Sequence, residues 1–147
     1  MEINGLPLHV MVVHGAVVFG PLAALAAVAY AVPAWRDRAR WPMVVAAVVA
    51  AIFVVIAYLS GEDFRESMPF FNEGALSDKL DTHESRAELL LWITLTFSVL
   101  AVVTGALHWR TGAARFALTA LLVTVGLATL TMTVLTGDAG AQAVWGQ

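Results

Sequence analysis

The sequence predicts an all-α integral membrane protein, a four-helix bundle of up-down-up-down connectivity with the N-terminus and C-terminus outside. Three observations predict it. Four apolar runs reach the about 17–25 residues that a bilayer-spanning helix needs. Charged residues make up only 13% of the 147, against about 25% in a soluble domain. Finally, most basic residues gather in two short connections, as the positive-inside rule requires of a cytoplasmic face.

The elements follow in order. Met1–Leu8 carries Glu2 and no Lys or Arg, so it lacks the positive start of a secretory signal, and the run after it is expected to persist as a helix. Helix 1 is expected over about residues 10–32, helix 2 over 43–59, helix 3 over 87–107 and helix 4 over 116–135. Pro21 removes one backbone hydrogen bond within helix 1 and predicts a kink. Gly15 and Gly20 allow a neighbouring helix to approach closely. Helix 4 is rich in Thr, a residue that packs and bonds back to its own helix. A chain of this length makes one compact unit, so residues 1–147 are expected to form a single transmembrane domain.

The long outer loop, residues 60–86, is polar. Gly61–Glu66 can extend helix 2 by a turn or two, and Met68-Pro69-Phe70-Phe71 is apolar enough to lie back on the membrane. Asp81 with Glu84 three residues later reads as a capping box opening helix 3.

Orientation follows from charge. Arg36, Arg38, Arg40, Arg110 and Arg115 are five of the eight basic residues and lie on one face, joined by a single acid, Asp37. Trp35, Trp41 and Trp109 lie there too, as interfacial anchors. The face with Arg65, Lys79 and Arg86 carries the other acids, among them Glu62, Glu88 and Asp138. The expected location is therefore a bacterial inner membrane, crossed several times, with the acidic face outward. The bilayer is the expected surrounding, nucleic acid is excluded by the charge balance, and the lipid-facing area of four short helices leaves room for an oligomer.

Composition also limits the chemistry. With no cysteine, disulfides, thiolate metal sites, iron–sulfur clusters and covalent haem attachment are excluded. Noncovalent haem and metals held by His, Asp or Glu remain. No intramembrane Lys supports a Schiff base, and no Ser–His–Asp pattern supports hydrolysis.

The four histidines carry what is left. His9, His14 and His83 fall toward the outer face, with Asp138 just beyond helix 4. His108 falls about 37 Å from His83 at 1.5 Å per residue, too far to share a site, and is expected at the surface. His14 lies inside an apolar run, where an ionisable group is costly and marks function. His83, at the expected start of helix 3, is kept neutral by the helix dipole, as a ligand must be. His9 and His14 point about 140° apart on a regular helix and need not share an ion. Two sites fit. One is a b-type haem between His14 and His83. The other is a zinc, copper or iron ion held by His9, His14, His83 and Asp138, with Glu88 as another candidate carboxylate.

The residues from Glu2 to His14, with the run Gly5-Leu6-Pro7-Leu8-His9 and then His14, resemble the opening of the DUF2231 family of small bacterial membrane proteins. His83 with its acidic and apolar neighbours resembles that family's third-helix histidine motif, and Thr136–Trp145 resembles its C-terminal signature. Asp138 stands where many relatives carry His. The resemblance implies a redox setting, since some relatives are joined to Rieske-type iron–sulfur domains. The leading expectation is thus a redox-linked subunit, carrying electrons to a redox partner protein rather than acting as a stand-alone enzyme. The alternative is a non-catalytic structural or accessory subunit of a larger membrane complex, docking through Phe64, Phe70 and Phe71. A transporter or proton-relay component ranks below both, because helices 2 and 4 carry no ionisable residue within their apolar spans.

Overall fold

The computed structural model describes residues 2–3, 5–67 and 74–145. Four helices make a membrane bundle: α1 Leu8–Ala31, α2 Arg36–Glu66, α3 Gly74–Ala106 and α4 Gly112–Trp145. All four are long and apolar enough to span a bilayer. Before them, β1 (Glu2–Ile3) and β2 (Leu6–Pro7) pair antiparallel, Glu2 opposite Pro7, around Gly5, whose φ of +79° suits only glycine. Neighbours in sequence pack against each other, and α1 also packs on α4, which closes the ring.

Small residues make the close packing. Along α1 the buried face is Ala16, Gly20, Ala23, Ala24, Ala27 and Tyr30, and along α2 it includes Met43, Ala47, Ala50 and Val54. Lipid is as apolar as leucine, so helices associate through contact between closely approaching backbones rather than through expulsion of water. Phe97 fills the centre, fully buried, against Gly126. The large apolar side chains Leu25, Ile52, Val99 and Val134 point outward instead, where only lipid can accommodate them. Thr129 and Thr133 hydrogen-bond to carbonyls one turn earlier, Val125 and Thr129 respectively. Thr131 bonds back to Leu127 in the same way, so three of the six α4 threonines satisfy themselves within the helix, and α1 continues through Pro21.

Two expectations about the outer loop change. Helix α2 runs to Glu66 and α3 begins at Gly74 rather than near 87, so most of residues 60–86 is helical. Asp81 is no N-cap, since it sits within α3 and with Glu84 accepts hydrogen bonds from Arg65. The ion pairs join the ends of α2 and α3 at 2.6 Å for Asp81. Met68-Pro69-Phe70-Phe71 lies outside the described residues, and the docking contacts expected of Phe70 and Phe71 lie there too. At the far end α4 also outruns its apolar segment and reaches Trp145.

Candidate functional site

At the acidic end of the bundle all four helices line one cavity of about 830 Å³. This lies within the about 300–1,000 Å³ typical of small-molecule and cofactor sites. Its walls are mostly apolar, with Val13, Val54 and Leu90 among them, and its rim carries Tyr58, Glu62, Arg65, Lys79 and Glu84. Two histidines enter it, His9 from α1 and His83 from α3. Their ring centroids are 6.5 Å apart and their planes stand at 83°.

Each ring is held in the same way. His9 donates through Nδ1 to the carbonyl of Ala57 at 2.9 Å, and His83 donates through Nδ1 to the carbonyl of Thr136 at 3.0 Å. A proton on Nδ1 leaves the lone pair on Nε2 of each neutral ring. Four residues beyond each carbonyl stands a glycine. A Cβ on Gly61 would lie 3.0 Å from Cε1 of His9, and one on Gly140 would lie 3.0 Å from Cε1 of His83. The α1–α2 and α3–α4 hairpins thus contribute equivalent halves: a histidine on the first helix, and a carbonyl and a glycine one turn apart on the second. Phe64 stacks on His9 at 6.2 Å.

Thr136 lines the cavity and is 7% exposed; its hydroxyl is itself buried and has no hydrogen-bond partner among the described residues.

The other expected site residues lie elsewhere. His14 does not line the cavity; it is exposed on the lipid-facing side of α1 and donates through Nδ1 to its own helix, at Val10 O, 2.8 Å away. The reason is its register: His9 shares the buried stripe of Ala16, Ala23 and Tyr30, seven residues apart, whereas His14 falls with exposed Met11, Val18 and Leu25. Asp138 is exposed and accepts a hydrogen bond from Gln142. Glu88 is exposed as well and does not line the cavity. Among the described residues no three His, Asp or Glu side chains are grouped so as to hold a metal ion. His83 also lies more than two turns inside α3, so the helix dipole is not what holds it neutral; its bond to Thr136 sets the tautomer.

Sequence reasoning did not find Gly61, Gly140 or the two carbonyls. Their only signal is the matching pair of glycines, each one turn beyond a carbonyl acceptor, which becomes visible once the helices are paired.

His108 is a correction. It is buried at 6% exposure rather than lying on the surface. Tyr30 donates to its Nδ1 at 3.2 Å, and its Nε2 donates to Asp37 at 3.0 Å. Arg36 donates to the Tyr30 hydroxyl at 2.9 Å and to the His108 carbonyl at 3.1 Å. This cluster braces the basic end, where Arg40 also donates to Gly105 O and lies over the rings of Trp41 and Trp109.

Comparison with known proteins adds one match. The model of the DUF2231 family, described as a predicted membrane protein, matches residues 5–147. No curated protein matches the chain, and no solved structure does.

Proposed function

The chain belongs to the DUF2231 family of predicted membrane proteins, and we propose that it holds a b-type haem between His9 and His83 as an electron-transfer subunit. The observation that carries this reading is the matched pair of imidazoles, each oriented by a carbonyl so that Nε2 bears the lone pair. Backbone carbonyls play this part for metal-bound histidines generally. With 6.5 Å between their ring centroids, the two imidazoles would hold the group through their Nε2 atoms.

The number of ligands separates haem from a bare ion. A zinc or copper site draws three or four ligands from protein, and only two imidazoles meet here. Haem brings its own ring nitrogens and asks the protein for two axial ligands. The cavity offers mostly apolar walls to the ring. A bound haem supplies one-electron oxidation and reduction. His9 and His83 would hold the iron, Phe64 stacks on His9, and the apolar walls would limit water. We place the acidic end outward in a bacterial cytoplasmic membrane, because five of the eight basic residues lie at the other end.

The test is optical. Protein made with ample haem and purified in mild detergent is expected to show a Soret band and, on dithionite reduction, sharp α and β bands. A featureless spectrum after haem titration would sink the reading and leave the accessory-subunit role in first place. The glycines give a finer check. Gly61→Ala and Gly140→Ala push a methyl against the ligand ring and should each weaken haem affinity about 10–100-fold, the usual cost of disturbing a ligand's support. Leu127→Ala, a change on the exposed face of α4 away from the cavity lining, should leave affinity unchanged in the same titration.

A further inference from the structure

The basic end of the bundle carries charge that its own residues do not neutralise. Arg36, Arg38, Arg40, Arg110 and Arg115 meet a single acid there, Asp37, and that carboxylate pairs with His108. Arg36 is taken up inside the bundle by the Tyr30 hydroxyl and the His108 carbonyl. Arg38, Arg110 and Arg115 are exposed. Arg40 differs from all of these, because it is both fixed and reachable. Its Nε–H donates to Gly105 O at 2.9 Å, and its guanidinium lies 4.8 Å from the centre of the Trp41 ring and 5.9 Å from that of Trp109. The bond to Gly105 uses Nε alone. The N–H groups on both terminal nitrogens have no partner among the described residues. A guanidinium already held at Nε and beside two rings has little freedom left to lose when a ligand arrives.

We propose that Arg40, flanked by Trp41 and Trp109, seats the phosphate of an anionic phospholipid, with Arg38, Arg110 and Arg115 supplying the surrounding positive field. Three features of the place select this class of ligand. Its charge must be negative, because the one acid of this end is already paired. It must offer oxygens side by side, since the terminal nitrogens of a guanidinium form a planar fork that matches phosphate. It must also be found at headgroup depth. Arg40 lies less than one turn before Met43, where the apolar run of α2 opens, and Trp41 and Trp109 are 62% and 79% exposed, as side chains at a membrane interface are. An anionic phospholipid meets all three demands, and basic clusters at the cytoplasmic ends of helices bind such headgroups. A zwitterionic phospholipid brings its own ammonium, which the unpaired arginines repel. The seat lies at the opposite end from His9 and His83 and does not depend on the haem reading.

Native mass spectrometry of the protein in mild detergent, with equal amounts of phosphatidylglycerol and phosphatidylcholine of the same acyl chains, tests this. Wild type is expected to retain phosphatidylglycerol in preference. Arg40→Lys keeps the charge but loses the fork and the bond to Gly105, and should weaken phosphatidylglycerol binding about tenfold, the low end for a hydrogen bond to a charged group. Trp41→Ala keeps every charge and removes one ring from beside the guanidinium, and should weaken binding about 2–5-fold. Arg38→Lys, at an exposed position, should bind as wild type does. Circular dichroism checks that each variant is folded, and if Arg40→Lys is not, Trp41→Ala decides. Equal retention of the two lipids by wild type overturns the proposal. So does Arg40→Lys or Trp41→Ala binding as tightly as wild type, which would leave only general attraction by surface charge. Glycerol phosphate that displaces the lipid at equal concentration would assign the seat to a soluble phosphate and overturn the lipid assignment.

Discussion

His9→Ala and His83→Ala should each abolish haem retention through purification, whereas His14→Ala and His108→Ala should retain a full complement. A disturbed support costs about 10–100-fold in affinity; deleting a ligand removes an iron–nitrogen bond as well, so the loss should exceed about 100-fold. The fold should survive. His9 is joined to α2 by one side-chain hydrogen bond, to Ala57 O, and His83 to α4 by one, to Thr136 O. Such bonds within a membrane are worth about 0.6 kcal/mol on average, and both carbonyls belong to continuous helices. Haem titration followed at the Soret band measures retention, and far-ultraviolet circular dichroism reports helix content. His14→Ala is the decisive comparison. If it lost haem while His9→Ala kept it, the pairing argued from the cavity would be wrong.

Choosing between His9 and His14 was within reach of the sequence. The 140° between them meant that at most one could face the bundle. Cost of burial favoured His14, because it lies deeper in the apolar run. The better guide was the stripe of small residues, Ala16, Gly20, Ala23 and Ala27, which marks where another helix approaches. Stepping back seven residues from Ala16 reaches His9, whereas His14 belongs with Leu25 and Val18, large residues that lipid accepts. In a membrane, small size marks the interior better than hydropathy does, because the outside is apolar as well. His83 needed no such choice, since one histidine alone occupies that end of α3.

The four spans were legible because bilayer thickness imposes a length on apolar runs. The helix ends were not, since hydropathy reports where lipid stops and not where hydrogen bonding stops. Residues 60–66 and 76–86 are charged, yet they remain helical and carry the Arg65 ion pairs and His83 itself. Much of the candidate site is therefore built on a segment that hydropathy assigns to a loop. His108 was hidden for a related reason. It lies just past α3, which ends at Ala106, where sequence suggests a surface, and only the packing of Tyr30 and Arg36 against it makes it interior.

That packing makes Arg36→Ala strongly destabilising at the basic end, by about 2–4 kcal/mol. Its guanidinium donates to the Tyr30 hydroxyl at 2.9 Å and to the His108 carbonyl at 3.1 Å, and hydrogen bonds to charged groups are worth about 1.5–3 kcal/mol each. Tyr30 is fully buried and would keep its own donation to Nδ1 of His108 while losing the donor that steadies its oxygen. The guanidinium also lies 4.9 Å from the centre of the Tyr30 ring, a contact that alanine removes. Asp37 gives the contrast. Its carboxylate accepts from Nε2 of His108 at 3.0 Å, but its side chain is 88% exposed, so water replaces the bond in Asp37→Ala and the cost should stay below about 1 kcal/mol. Unfolding in detergent by titrated dodecyl sulfate, followed by circular dichroism, compares the two. Equal losses would mean that the cluster acts through the Asp37 pair and not through Arg36. Because the basic end lies far from His9 and His83, both variants should still bind haem normally at dodecyl sulfate levels that leave them folded, which separates bracing of the bundle from construction of the site.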